Sequence, residues 1–245
     1  MLLEGKNAVI YGAGGSIGGA VARGFAREGA TVHLAGRRAG PLETLAAEIR
    51  GSGGAAATAT LDALDEQAVD DHAARLVASA GSLDISLNVI SHGELFGTPL
   101  AEMTLEDFER PIRTATRSTF ITARAAARHM ITQRSGVILT FGGYGQPPRD
   151  SYLGGFQVGL SAVDALRRQL AAELGPHGIR VLTIQSVGIP ETHTSSGEGD
   201  GTPPRLLDRA PTLADVGSVA AFAASDHAAA ITATAINITC GAEVD

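Results

Sequence analysis

Short runs of β-branched and apolar residues alternate along the chain with longer, alanine-rich amphipathic stretches. This alternation is typical of a parallel sheet whose strands are joined by helices. The apolar runs predict seven strands, at Asn7–Tyr11, Thr31–Ala35, Ala55–Asp62, Ile85–Ile90, Gly136–Phe141, Arg180–Ser186 and Ala235–Thr239. The amphipathic stretches predict six helices, at Ser16–Glu28, Pro41–Arg50, Glu66–Ala80, Leu105–Gln133, Leu153–Leu174 and Leu213–Ala224. We therefore expect an α/β fold, a doubly wound parallel sheet of seven strands with helices on both faces.

Two of the helix starts carry a capping pattern. Thr104 precedes Asp107, and Thr212 precedes Asp215, at the spacing of a capping hydroxyl and a carboxylate three positions further on. These pairs predict helix N-termini at Thr104 and Thr212, and they carry no chemistry of their own.

The length and composition indicate one soluble domain. A chain of 245 residues suits a single α/β sheet with its covering helices. Near residues 190–210 the sequence has no periodicity and is rich in Gly, Ser, Thr and Pro, which is typical of either a mobile flap or an ordinary surface loop. No apolar run is long enough to span a membrane, and the first residues do not resemble an export signal. We therefore expect a cytoplasmic location and no membrane partner.

Charge and cysteine content bear on nucleic acid binding, disulfides and metal sites. The net charge of −7 disfavours a nucleic acid partner, because a phosphate backbone attracts basic surfaces. Cys240 is the single cysteine, which excludes an internal disulfide and a cysteine-rich metal site, so we predict no metal. Among the 19 basic residues, Lys6 is the only lysine.

A glycine-rich turn lies between the first predicted strand and the first predicted helix. It reads YGAGGSIG from Tyr11 to Gly18. Glycines in such a turn let peptide N–H groups and the helix N-terminus approach a pyrophosphate. The predicted dinucleotide-binding residues of this turn are Gly12, Gly14, Gly15, Ser16, Ile17 and Gly18.

The end of the second strand bears on which dinucleotide is bound. Gly36 occupies the position where a carboxylate would hold the adenosine ribose of NAD, and Arg37 and Arg38 follow it. A guanidinium suits the 2′-phosphate of NADP. We therefore expect NADP(H) rather than NAD(H), the alternative being that both arginines are only solvated.

These features together resemble the short-chain dehydrogenase/reductase family, a Rossmann-type fold, over nearly the whole chain. The family's T-G-x-x-x-G-x-G motif appears as YGAGGSIG, and N-N-A-G appears as NVIS from Asn88. The family's P-G-x-x-x-T appears as VGIPET from Val187 to Thr192. The resemblance adds the following residues to the predicted nucleotide site: Asp62, Ala63, Asn88, Ile189 and Thr192.

The same resemblance shows that the family's catalytic residues are replaced. The segment LAAELGPHGIRV from Leu170 to Val181 resembles the family's and fixes the register. In that register the four replacements, of the family's Asn, Ser, Tyr and Lys in turn, are Ala115, Gly143, Phe156 and Leu160. The Tyr hydroxyl and the Lys ammonium of the family are the acid–base pair, and neither Phe nor Leu provides that chemistry. Because Lys6 precedes the first strand, no shift of register supplies the missing lysine.

Other side chains near the same sheet edge are candidates for the proton transfer. Tyr144 and Tyr152 follow the fifth strand, and Arg149 is close enough in sequence to lower the pKa of Tyr152. The alternative for each tyrosine is a half-buried ring with its hydroxyl in water. His92 and Glu94, which follow the fourth strand, are second-rank candidates.

Three functions remain open at this point. The first is an NADP(H)-dependent oxidoreductase with a non-standard acid, acting on a small and apolar substrate such as an imine or a conjugated alkene. The second is an inactive nucleotide-binding or regulatory protein, and the third is a non-redox lyase, isomerase or cyclase that uses an emptied apolar pocket. The resemblance also implies a homodimer or homotetramer that pairs through the helix Leu105–Gln133 and the helix ending at Leu174.

Overall fold

The computed structural model describes residues 1–142, 152–192 and 205–244. The strands are β1 Asn7–Tyr11, β2 Thr31–Gly36, β3 Ala55–Thr60, β4 Ile85–Asn88, β5 Gly136–Gly142, β6 Ile179–Gln185 and β7 Ala235–Asn237. The helices are α1 Ser16–Arg27, α2 Ala39–Gly51, α3 Glu66–Ala80, α4 Leu105–Gln133, α5 Gly155–Leu174 and α6 Leu213–Ala224. The strands form one parallel sheet in the order β3-β2-β1-β4-β5-β6-β7. The predicted α/β fold is confirmed.

Two helical layers cover the sheet, one on each face. Helices α1, α2 and α6 cover an apolar cluster that includes Val21 and Val216. Helices α3, α4 and α5 cover a second cluster that includes Val69, Leu174 and the ring of Tyr11. Full burial of an aliphatic side chain of this size contributes about 1.5–3 kcal/mol. The two clusters therefore hold the helices on the faces of the sheet. The carboxyl ends of the strands stay uncovered by these helices and can line a binding site.

The strand order reverses its direction between β1 and β4. Tyr11, the last residue of β1, lies opposite Ala35 in β2 and Asn88 in β4. Successive connections run outward from this point in opposite directions, which opens a crevice beyond the carboxyl ends of the two strands. The candidate site lies in this crevice.

Three predicted strands ran two residues too far, and side-chain turns explain why. Asn88 Oδ1 accepts the Ile90 N–H at 3.1 Å, and Asn237 Oδ1 accepts the Thr239 N–H at 2.9 Å. After β3, Asp62 Oδ1 accepts the N–H two residues further on at 3.0 Å. At β4 the Asn88 side chain takes an N–H that a longer strand would have used in the sheet, and at the edge strands β3 and β7 the side-chain turns bend the chain away from the strand direction.

Both predicted helix caps are present. The Thr104 hydroxyl accepts the Asp107 N–H at 3.1 Å. At α6 the Thr212 hydroxyl accepts the Asp215 N–H at 3.1 Å, and the Asp215 carboxylate accepts the Thr212 N–H at 2.9 Å. The Arg209 guanidinium and these capping bonds hold the pKa of Asp215 at about 2. No helix in the described ranges has the length and apolar character needed to cross a bilayer.

Candidate functional site

A cleft of about 430 Å³ lies at the carboxyl edge of the sheet, over the ends of β1 and β4. Its walls come from the connections after four neighbouring strands and from the first turns of α4. The residues that line it include Tyr11, Gly12, Gly14, Gly15, Arg37, Arg38, Asp62, Ala63, Val89, Ser91, His92 and Arg110. Because its lining runs from the end of β3 to the end of β4, the cleft crosses the switch point of the sheet and suits an extended ligand.

The predicted glycine turn forms the floor of the cleft, and its shape depends on missing side chains. Gly12 has φ +90°, and a Cβ there would lie 2.7 Å from the Val89 carbonyl oxygen. A Cβ at Gly18 would overlap the Gly12 carbonyl oxygen. Larger residues at either position would force β1, β4 and α1 apart.

The N-terminus of α1 is open toward this floor. Gly15 is the N-cap and has no side chain that could accept a hydrogen bond. The first intrahelical bond is donated by Gly19 to Gly15 at 2.8 Å, so the N–H groups of Ser16 and Ile17 precede the helical ladder. Free N–H groups and the positive end of the helix dipole form a site for an anion such as a pyrophosphate.

Arg37 and Arg38 lie at the end of β2 and line one end of the cleft. Both side chains are exposed, and neither forms an ion pair with a carboxylate in the described part of the chain. Gly36 beside them offers no carboxylate, and the side chain of Leu42 fills the space under it. This end of the cleft therefore carries two uncompensated positive charges.

The residues taken from the third and fourth strands have different placements. Asp62 and Ala63 line the cleft. Asn88 is buried, its Nδ2 donates to Ser118 Oγ at 3.1 Å, and its Oδ1 holds the turn at Ile90. Asn88 therefore shapes the cleft wall from behind.

Ile189 and Thr192 lie apart from the lining of this cleft. Ile189 is buried in the core cluster beneath α1, α2 and α6. The Thr192 hydroxyl donates to the Ile189 carbonyl at 2.7 Å, so it closes its own short turn. Most of the predicted flap, residues 193–204, lies outside the described residues.

Three of the four positions that the sequence register predicts for the family's tetrad can be located. Ala115 is fully buried, and Leu160 is 5% exposed. The Leu160 methyl would lie 2.8 Å from a Cβ placed on Gly142, so this side chain fills the space beside β5. Phe156 stands at the start of α5 and is half-buried. The fourth position, Gly143, lies outside the described residues.

Phe156 belongs to a small aromatic group that includes His92, which lines the cleft on the β4 side. Its ring lies 6.0 Å from the ring of His92 and 5.4 Å from the ring of Phe96, centroid to centroid. Burial lowers the pKa of His92 below its usual value, and the nearby Glu94 carboxylate partly opposes this. The sequence predicts His92 only as a second-rank candidate for proton transfer, and it does so because His92 follows the fourth strand.

Tyr152 lies away from the cleft lining. Its side chain is 43% exposed, its φ is +44°, and its carbonyl accepts the Gly97 N–H at 3.3 Å. Tyr144 and Arg149 lie outside the described residues, so their relation to Tyr152 stays a prediction.

Sequence reasoning did not single out a cluster of titratable groups beneath the floor. Tyr11 is buried with its ring edge-on to His72, at 6.3 Å between centroids, and burial raises the pKa of its hydroxyl. Burial also lowers the pKa of His72 to about 4, with the charges of His33 and Arg75 adding to the effect. These groups are neutral near neutral pH, so they give the floor an uncharged lining. Among the residues that the structure describes, no cluster has the composition of a metal site.

Known dehydrogenases and reductases resemble this chain over most of its length. A family model described as Enoyl-(Acyl carrier protein) reductase matches residues 12–243. Sorbitol dehydrogenase of Cereibacter sphaeroides is 30% identical over 237 residues, which cover 96% of this chain and 91% of the relative. Gluconate 5-dehydrogenase of Gluconobacter oxydans is 31% identical over 179 residues, which cover 73% of this chain and 69% of the relative.

Solved structures give the same assignment. A short-chain type dehydrogenase/reductase from Mycobacterium marinum has a TM-score of 0.87 at 28% identity, and the match covers 99% of this chain and 97% of that one. A short chain dehydrogenase from Burkholderia cenocepacia, solved in complex with NADP, shares the fold with a TM-score of 0.86 at 24% identity over 99% of each chain. With the match over residues 12–243, these relatives show that the chain belongs to the short-chain dehydrogenase/reductase family.

Proposed function

We propose that this protein binds NADP(H) in the cleft and is an oxidoreductase that works without the family's usual proton-transfer residues. The observation that carries the cofactor proposal is the pair of unpaired guanidinium groups at Arg37 and Arg38, beside a glycine in place of an acid. A 2′-phosphate supplies the negative charge that this end of the cleft lacks.

The remaining contacts follow from the cleft. The open N–H groups of Ser16 and Ile17 bind the pyrophosphate, and the lack of side chains at Gly12 and Gly18 lets it approach. Asp62 and Ala63 line the adenosine half. When bound, the nucleotide would supply or accept a hydride, and the part of these residues is to hold and orient it.

The substrate is small and apolar in this proposal. The rings of Phe156 and Phe96 pack edge to face beside His92, which lines the cleft on the β4 side, and both offer carbon surfaces. Apolar walls favour a ligand without charge, because burying an unpaired charge there is costly. An uncharged aldehyde or ketone, an imine or a conjugated alkene fits this description.

Calorimetric titration with NADP⁺ and NAD⁺ tests the cofactor proposal. We expect NADP⁺ to bind at least about tenfold more tightly than NAD⁺. Arg37→Ala or Arg38→Ala removes a charge-assisted contact of about 1.5–3 kcal/mol and weakens NADP⁺ binding by about 10-fold to 100-fold, with little effect on NAD⁺. Arg27→Ala is the matched control, because Arg27 is equally exposed and lies at the opposite end of α1. Equal losses for both nucleotides would overturn the 2′-phosphate assignment.

A second candidate function is nucleotide binding without turnover. It is favoured by Phe156 and the buried Leu160, which offer neither a hydroxyl nor an ammonium group to a substrate. NADPH absorbance followed with a panel of uncharged carbonyls, imines and enones separates the two candidates. Oxidation of NADPH supports the enzyme, whereas tight binding without turnover supports the regulatory protein. Turnover that does not depend on added nucleotide would indicate a non-redox reaction.

We further propose a homo-oligomer that pairs through α4 and α5. Phe120 on α4 is 48% exposed and Val158 on α5 is 46% exposed, so each helix presents an apolar side chain to solvent in the single chain. Light scattering after size-exclusion chromatography checks this proposal, and a monomer at micromolar concentration would refute it.

A further inference from the structure

His92 occupies a particular place in the cleft. It lies in the wall segment after β4, and Asn88 fixes the start of that segment with the hydrogen bond from the Ile90 N–H to its Oδ1. Its ring packs on Phe156, whose helix α5 begins at Gly155. The imidazole is therefore positioned by two separate elements rather than carried on a free loop.

The sheet order decides which half of a dinucleotide lies near His92. A dinucleotide crosses the switch point between β1 and β4, with its pyrophosphate at the N-terminus of α1. Arg37 and Arg38 follow β2 on one side of that point, and His92 follows β4 on the other. If the adenosine phosphate lies on the arginines, the nicotinamide extends toward His92 and Phe156.

Few side chains in the cleft lining can exchange a proton near neutral pH. Arginine does not lose its proton in proteins, which removes Arg37, Arg38 and Arg110. Asp62 lies on the β3 side, and burial raises the pKa of Tyr11. Among the described residues that line the cleft, this leaves His92.

We propose that His92 is the acid–base residue of this site and exchanges a proton with the oxygen or nitrogen of the substrate. The inference rests on the proposed function, because it places the nicotinamide next to the imidazole. In alcohol oxidation the neutral imidazole takes the hydroxyl proton, the carbonyl double bond forms as the C–H bond breaks, and the hydride with its electron pair passes to NADP⁺. In the reverse direction the imidazolium returns the proton to the oxygen as the hydride of NADPH adds to the carbonyl carbon.

The groups around His92 set its response to pH. Glu94 on the same segment favours the charged imidazole, while burial against the uncharged Phe156 disfavours it. From α4, Arg110 contributes a positive charge that its ion pair with Asp107 offsets. Because burial dominates, His92 is neutral at pH 7 and is ready to accept a proton. Alcohol oxidation is therefore expected to hold its rate down to mildly acid pH, and carbonyl reduction is expected to rise as the pH falls.

Proton NMR titration of the histidine C2–H signals tests the placement without relying on turnover. The nicotinamide ring carries a positive charge in NADP⁺ and none in NADPH. A charge about 6 Å away weakens proton binding by at least about threefold. We therefore expect His92, identified by the loss of its signal in His92→Gln, to bind its proton at least about threefold more weakly in the NADP⁺ complex than in the NADPH complex. The control is the signal of His227, which is exposed on the short turn Asp226–Ala228 outside the cleft lining and is expected to be the same in both complexes.

The outcomes separate the two proposals. If calorimetry shows that neither nucleotide binds, both the proposed function and this inference fail. If both nucleotides bind and His92 titrates identically in the two complexes, the inference about His92 is overturned and the nucleotide site stands. With an active substrate, His92→Gln is expected to lower kcat by about 10²-fold to 10⁴-fold and to remove the pH dependence, with NADP⁺ affinity unchanged. An unchanged kcat and pH profile would also overturn the inference, and His227→Gln is the control.

Discussion

The buried His72 should make folding stability depend strongly on pH. His72 is 7% exposed, and its Nδ1 has no hydrogen-bond partner among the described residues. Burial lowers its pKa from 6.5 to about 4. In the unfolded chain the imidazole takes up a proton as the pH falls through its ordinary value, whereas in the folded chain it stays neutral until about pH 4. Stability is therefore complete above the ordinary pKa and is lost as the pH falls toward the folded one.

The size of this loss follows from the two pKa values. Proton linkage with a fall from 6.5 to about 4 removes about 2 kcal/mol of unfolding free energy between about pH 7.5 and pH 5. His33, which faces His72 and whose pKa burial also lowers, acts in the same direction.

Urea denaturation at the two pH values, followed by circular dichroism, measures this quantity. We expect the wild type to lose about 2 kcal/mol more than His72→Gln and His72→Leu, because both variants remove the titrating group. His227→Gln, at an exposed histidine, is expected to behave as the wild type. Equal pH slopes in wild type and both His72 variants would refute the reasoning.

Three further substitutions probe the glycine turn, helix α2 and the cap of α6. Gly12→Ala places a Cβ 2.7 Å from the Val89 carbonyl at φ +90°, so we expect a loss of at least about 1–2 kcal/mol in urea denaturation and weaker NADP⁺ binding in calorimetry. Gly40 lies in open space within α2, so Gly40→Ala should instead raise the unfolding free energy by about 0.5–1 kcal/mol. If Gly12→Ala and Gly40→Ala changed the unfolding free energy equally, the steric argument for Gly12 would be contradicted. Thr212→Ala removes the hydroxyl that caps α6 and should cost about 1 kcal/mol by thermal denaturation. If Thr212→Ala leaves stability unchanged at neutral pH, the Asp215 side of the capping box is sufficient alone.

The helices and their caps could be predicted because their signals are local. Helix α4 begins and ends where the sequence predicts, since the hydroxyl of Thr104 caps its first turn and Arg134 adopts a left-handed conformation after its last. The glycine turn is equally local, because the approach of Gly12 to β4 and of Gly18 to Gly12 excludes any side chain. Hydrophobic periodicity and the need for glycine in a tight turn both depend on residues that are close together in sequence.

The strand ends and the active end of the cleft depend on tertiary structure. A polar residue such as Asn88 continues a strand or turns it, depending on whether a neighbouring strand takes the next N–H. The contact between His92 and Phe156 joins two segments that are far apart in sequence, so no local pattern reveals it. For Tyr152 the sequence gives the residue type, but not the exposed, left-handed conformation that turns it to solvent.

A crystal structure of the protein saturated with NADP⁺ tests the central claim most directly. We expect the pyrophosphate on the N–H groups of Ser16 and Ile17, the 2′-phosphate against Arg37 or Arg38, and the nicotinamide beside His92. A cleft that stays empty at saturating NADP⁺, a 2′-phosphate turned to solvent, or a tyrosine hydroxyl at the reactive face of the nicotinamide would contradict it.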